Sequence, residues 1–200
     1  MLRPRRRRYQ GASGPHTPTR PRLIVGTRGG RIALVEYLYT HTYSSPIGSL
    51  HTAVDRNGTV HAVSFTDFRA GLPADAWEEN KYACGELEYQ LDEYFEGRRT
   101  TFSLSVHLPG TNFQRAVWNR MRKIGYGSTM TYGTLAQKIG RRDAAQAVGN
   151  AVGLNPIVIV VPCHRIVRAN GDIGSYARRS LDEPRGRAVK EQLLRLEGVL

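Results

Sequence analysis

The chain has 200 residues, enough for one domain or two small ones, and carries a formal charge of +12 from 29 Lys/Arg against 17 Asp/Glu. No apolar run reaches the roughly 18 residues of a transmembrane helix, no apolar leader opens the chain, and two cysteines far apart make a poor disulfide framework. No membrane span, secreted form or disulfide scaffold is therefore expected, and a reducing, cytoplasmic compartment is the expectation.

Residues 1–35, opening Met-Leu-Arg-Pro-Arg-Arg-Arg-Arg, combine charge, proline and glycine with little apolar periodicity and cannot bury enough surface to fold alone. They read as a disordered basic arm able to hold DNA through its phosphates, or as an extension upstream of the functional start. From Tyr43 the pattern turns to strands: residues 50–54 and 59–65 flank Asn57-Gly58, two residues that tolerate positive φ and so signal a hairpin. Cys84, Leu87, Leu91, Tyr94 and Phe95 follow helical spacing, which assigns Cys84 to the core, and Gly97 suits a left-handed C-terminal cap. Phe102, Leu104 and Val106 alternate as a further strand, and Pro109-Gly110 closes a first domain over 36–109.

The second domain, 110–200, opens on Thr111-Asn112-Phe113-Gln114, a capping-box pattern, with Phe113, Val117 and Met121 on one helical face. Thr131 can cap a short helix through Leu135 and Ile139 that ends at Gly140, and Asp143 can cap the next, through Ala147, Val148 and Ala151. Two short helices joined by a glycine-containing turn suit a helix-turn-helix, although such pairs also occur in proteins that never touch DNA. Gly149 and Gly153 in the second helix allow close approach to another surface. Asn155-Pro156 ends that helix, Asn170-Gly171 can turn a wing-like hairpin, and a last amphipathic helix with Val189, Leu193 and Leu196 on one face carries Glu197 near its end.

Residues 158–167 read Val-Ile-Val-Val-Pro-Cys-His-Arg-Ile-Val. The β-branched run predicts a buried strand that Pro162 stops, leaving Cys163 at a strand end. The plain alternative is a buried free cysteine acting as a small hydrophobe, but Pro162, His164 and Arg165 around it argue for reactivity. Charge supports a polyanionic partner: residues 32–109 hold five Lys/Arg against eleven Asp/Glu, whereas residues 110–200 hold fifteen against six, so the cysteine lies in the basic part. An ordinary solvated basic surface is the competing account.

Phe113-Gln114 with Val117-Trp118, Thr131-Tyr132-Gly133 with Leu135-Ala136, Ala147-Val148-Gly149, Asn155-Pro156 and Pro162-Cys163-His164-Arg165 resemble, in order and spacing, the O6-alkylguanine-DNA alkyltransferases. Ser45-Pro46-Ile47-Gly48 and the hairpin after it resemble that family's N-terminal domain. The resemblance implies an α/β (α+β) fold with an N-terminal ribonuclease-H-like sheet-and-helix domain and a C-terminal winged-helix-like helix-turn-helix domain. It implies a monomeric, single-turnover repair protein whose partner is double-stranded DNA containing O6-alkylguanine. The base is rotated into a pocket and Cys163 takes the alkyl group irreversibly. His164 then matches the base that acts through a water, Glu197 its orienting carboxylate, Tyr132 the proton or hydrogen-bond donor to the leaving guanine, and Asn155 the support of the active-site turn. Val152, Ile173 and Tyr176 fall where pocket walls are expected, and the amide of Ala177 where a donor reaches O6. Gln146, Ala147 and Gly149 fall on the DNA-reading helix. No cofactor is expected, since no phosphate-binding glycine loop is present, and no metal, since Cys84, His41, His51 and His61 lack paired ligand spacing. Two rivals from other classes are a protein that recognises alkylated bases without transfer, against which Cys163 argues, and a helix-turn-helix regulator, which leaves Pro162, His164 and Glu197 unexplained.

Two departures from the family pattern stand out. Ala177-Arg178-Arg179 replaces the usual glycines in a loop over 177–187 that is longer than in relatives, adding phosphate contacts or reshaping the entrance. Gln146 occupies the position of an arginine that fills the base stack, and also stands where it could share a capping box with Asp143. Weaker base flipping or an altered lesion preference is therefore expected. Gln146→Arg should raise the rate of methyl transfer from duplex DNA; an unchanged rate would sink the idea.

Overall fold

The computed structural model describes residues 37–177 and 180–200 and, before them, two short strands, β1 (Leu23–Ile24) and β2 (Ala33–Leu34), paired antiparallel. The remainder of the expected basic arm lies outside the described residues, as do Arg178 and Arg179. Residues 36–200 form one compact unit. Among the described residues no helix is long and apolar enough to cross a membrane.

The first half is a four-stranded sheet in the order β5-β4-β3-β6: β3 (Leu38–Ser45), β4 (Gly48–Val54) and β5 (Val60–Ser64) pair antiparallel, and β6 (Trp77–Glu79) adds parallel to β3. β3 starts five residues before the Tyr43 boundary read from sequence, and β6 carries no period-2 signal that would have revealed it. Gly48 makes the first turn at φ +112°. The second turn is longer than a two-residue hairpin. The Asp55 carboxylate accepts from the Asn57 and Thr59 amides at 2.8 and 3.0 Å, and only Gly58, at φ +76°, enters the left-handed region. Helix α1 (Gly85–Phe95) packs on the sheet, burying Leu87, Leu91 and Tyr94 with Cys84, Leu50 and Val63 in a common core.

The segment 102–106 is not a regular strand; only Val106 bridges, to Val60, where the Val60 amide donates to Ser105 and the His107 amide to Val60. Further along β5, the Val63 amide donates to the Pro156 carbonyl at 3.1 Å and the Val158 amide to Val63 at 3.0 Å. One sheet edge thus anchors both the connector between the halves and the chain approaching Cys163.

Helix α2 (Asn112–Met121) begins with the expected capping box: Thr111 Oγ1 accepts from the Gln114 amide and Gln114 Oε1 from the Thr111 amide. Thr131 likewise caps α3 (Tyr132–Lys138), which Gly140 ends at φ +72°. Helix α4 (Ala145–Gly153) departs from expectation, because its N-cap is Ala144 with no side-chain bond; Asp143 does not cap it, and Gln146 has no capping-box partner there. The α2, α3 and α4 helices pack together, and the Trp118 indole donates to the Ala151 carbonyl at 2.8 Å.

The expected strand before Cys163 is absent. Residues 157–161 are all buried but fold back on themselves, with Ile159 at φ +72° and the Val161 amide closing on the Ile157 carbonyl at 2.9 Å. β-Branching and apolarity correctly indicate burial here but not extension. Asn170-Gly171 does turn the chain, yet the wing is not an antiparallel hairpin: β7 (Met130–Thr131) and β8 (Ile166–Val167) pair parallel. The last helix, α5 (Glu183–Leu196), starts within the stretch read as an enlarged loop; Asp182 caps it, so residues 183–187 are helical.

Gly186 lies where α5 crosses the backbone of Tyr176. A Cβ there would sit 2.5 Å from the Tyr176 carbonyl oxygen. Gly→Ala in an open helix stabilises by about 1 kcal/mol, but overpacking costs about 1–3 kcal/mol. Gly186→Ala should therefore destabilise the protein, read as a lower urea midpoint.

Candidate active site

Asn155 organises the turn that presents the cysteine. Its Nδ2 donates to the Val161 carbonyl at 2.7 Å and to Cys163 Sγ at 3.1 Å, while its Oδ1 accepts from the Ile157 amide at 3.1 Å. Cys163, His164 and Arg165 form a single 3-10 turn rather than a strand end, and all three are buried. Burial pushes the Cys163 thiol up, against the Asn155 bond and the positive charge of Lys190, which favour the thiolate. The Tyr176 hydroxyl lies near the thiol without meeting hydrogen-bond geometry, and burial raises it well above the usual phenol range.

Glu197 is the C-cap residue of α5, its side chain fully buried. Its Oε1 accepts from Tyr94 Oη at 2.8 Å and meets His164 Nε2 at 2.7 Å; the Arg165 guanidinium reaches both oxygens at 2.9 Å, and the Gly127 amide donates to Oε2 at 3.2 Å. Burial alone would raise this carboxyl, but the bonds from His164 and Arg165 outweigh it and hold it at about 2. A carboxylate only accepts, so His164 carries its proton on Nε2. Its Nδ1, buried and without a hydrogen-bond partner among the described residues, keeps a free lone pair. Burial lowers the His164 pKa, with Glu197 opposing, and favours the neutral ring.

Cys163 faces a cavity of about 470 Å³ whose walls include Tyr132, Gln146, Gly149, Val152, Tyr176 and Ala177. Tyr132, at the start of α3, stands beside Gly149 of α4. Ala177, at the departure noted above, holds φ +48°, a conformation that favours glycine. Ile173, expected as a wall, is half-buried and is not among the residues that line this cavity. Ala147 is exposed on α4 outside the cavity wall, and Gln146 is exposed at the cavity. Sequence reading missed Tyr94, taken as core alone, and Arg168, which lines the cavity and pairs with Asp172 at 2.7 Å. It also missed Lys190, although positions 186, 189, 190, 193, 194 and 197 step by three and four along the buried face of α5. Among the described residues no three His, Cys, Asp or Glu side chains group at metal-binding range.

A buried thiol opens onto a cavity lined in part by α4, with a histidine–carboxylate pair on the adjoining turn. The family models for the 6-O-methylguanine DNA methyltransferase ribonuclease-like domain and DNA-binding domain match residues 38–108 and 112–199. A methylated-DNA–protein-cysteine methyltransferase of Methanosarcina acetivorans is 40% identical over 162 residues, covering 80% of this chain and 99% of that protein. The protein of the same name from Mycolicibacterium paratuberculosis is 41% identical over 143 residues, covering 72% and 84%. The structure of Mycobacterium tuberculosis OGT in complex with DNA superposes with a TM-score of 0.70 at 35% identity, covering 80% of this chain and 92% of that one. The chain belongs to the 6-O-methylguanine DNA methyltransferase family.

Folding holds Glu197 ionised and His164 neutral, and both contributions vanish in acid. The Glu197 part is complete above its ordinary 4.5 and is lost as pH falls towards about 2, amounting to roughly 3 kcal/mol; the His164 part starts to fall below 6.5. Glu197→Gln should cost about 3–5 kcal/mol at pH 7, because Arg165 is left buried without its counter-ion. It should also flatten the pH dependence of the urea midpoint below pH 4.5.

Proposed function

We propose that Cys163 Sγ is the acceptor of an alkyl group carried on O6 of a guanine that has been rotated out of double-stranded DNA into the cavity. As a member of its family the protein is a methyltransferase that repairs DNA by direct reversal. DNA is its partner, in keeping with the DNA-binding domain match. The observation that carries the residue-level reading is the lining of one cavity by Cys163, Tyr132 and Tyr176, with the His164–Glu197 pair behind the thiol.

In this reading His164 Nδ1 takes the thiol proton, through the water that the resemblance implies, and Glu197 stabilises the resulting imidazolium. The sulfur lone pair forms the S–C bond as the C–O6 bond breaks, its electron pair passing to O6; Tyr132 supplies the proton or hydrogen bond that the guanine anion needs. Asn155 holds the thiolate by its Nδ2 bond. Val152, Tyr176 and Ala177 frame the base, with the Ala177 amide as donor to O6. Gln146 enters the stack from α4 while Ala147 and Gly149 meet the DNA, and Arg178 and Arg179 contact phosphates. The thioether product has no leaving group at hand, so each molecule reacts once, as a monomer, without a cofactor. A DNA-associated location follows from that substrate, in the cytoplasm or, in a eukaryotic cell, the nucleus. The base-recognition and regulator readings are not favoured, since neither uses a buried thiol with an attendant base.

Incubation with duplex containing O6-methylguanine should add one CH2 to the peptide bearing Cys163, and Cys163→Ala should abolish the gain with little change in DNA affinity. Tyr132→Phe should slow transfer about 10²-fold, the usual loss for one aligned donor. Binding with no adduct on the wild-type protein would overturn the proposal.

A further inference from the structure

Tyr94 reaches the His164–Glu197 pair from the first half of the chain. It lies in the last turn of α1 and is fully buried. Phe95 and Phe102 hold its ring at 5.4 and 5.5 Å between centroids, and Tyr126 at 6.1 Å. The hydroxyl so placed donates to Glu197 Oε1 at 2.8 Å. The same oxygen meets His164 Nε2 at 2.7 Å and accepts from Arg165 at 2.9 Å, so three donors share an atom with two lone pairs. Tyr94 Oη also lies 3.5 Å from His164 Nε2, too far to compete with those short bonds.

We propose that Tyr94 is a positioning residue for the transfer: by sharing Glu197 Oε1 with His164, its hydroxyl limits how strongly the carboxylate favours a second proton on the imidazole and so keeps His164 available as a base. The inference rests on reading His164 as the base that serves Cys163. A carboxylate that already accepts from a phenol stabilises imidazolium less, and the neutral ring with its free Nδ1 is the form that can take the thiol proton. Burial and the neighbouring Glu197 raise the Tyr94 phenol above its usual range, so towards the carboxylate it acts as a donor. The imidazole also faces Lys190 of α5 and Arg165 of its own turn, with the Tyr176 ring edge-on at 6.1 Å, and Glu197 also faces Tyr126. All of these belong to the second half, so through Tyr94 the chemistry there depends on α1.

Tyr94→Phe keeps the ring and removes the donor, while Glu197 retains His164, Arg165 and Gly127. With Oε1 less shared, imidazolium is favoured, and the acid limb of the pH profile for methyl transfer from duplex DNA should move upward by about half a pH unit or more. A fluorotyrosine inserted in place of Tyr94 is a stronger donor and should move the limb downward. Lost packing alone would leave both profiles at the wild-type pH, and that result would overturn the assignment. The His164 imidazole titration, followed by NMR, should shift in the same two directions and requires neither DNA nor transfer. Shifted titrations with no methyl gain on wild-type Cys163 would uphold the sharing of Glu197 and refute the acceptor reading, whereas methyl gain with unmoved titrations would refute the role given to Tyr94.

Discussion

The carboxylate of Glu197 is the fixed point of this molecule. It sits at the C-terminal end of α5, where the helix dipole disfavours negative charge, and it is buried as well. Only a dense shell of donors makes that tolerable, and the four donor residues come from three places: Tyr94 of α1, the Gly127 turn, and His164 and Arg165 of the Cys163–Arg165 turn, all meeting the end of α5. Arg165 also donates to the Ile124 carbonyl at 2.6 Å, tying the turn after α2 to the same centre. The interaction that orients the histidine therefore also joins the two halves of the chain, and chemistry and architecture share one ion pair.

Around that centre the backbone is irregular, and the irregularity has identifiable supports. Ile159 holds a left-handed conformation that costs an L-residue about 1–2 kcal/mol. The surrounding burial of residues 157–161 and the three bonds of the Asn155 side chain hold it there. Asn155 thus replaces the ladder bonds that a strand would have provided, and its amide reaches the sulfur only because the segment bends.

Much of the fold was legible because local chemistry decides it. Thr111, Thr131, Gly97 and Gly140 act where capping rules put them, since a cap is settled by residues three or four positions apart. The family was legible from its concatenated motifs. What was not legible depended on tertiary partners. The run at 157–161 carries the composition of a strand, yet among the described residues β5 bridges it only through Val63. Asp143 has the chemistry of a cap, but α4 starts two residues later. Ile173 and Lys190 fail in opposite ways: one apolar residue proved not to face the cavity, and one charged residue proved to belong to the buried stripe of α5.

The edge of β5 has a further meaning in time. Through Val63 it supplies two backbone bonds to the chain approaching Cys163, across more than ninety residues of sequence separation. Contacts of that range form late, because loop closure must come first. During synthesis the sheet is complete before residues 156–158 emerge, so the template precedes the segment it shapes. Cys163 can therefore acquire its full surroundings only in the late steps of folding, once α5 brings Glu197 to the turn.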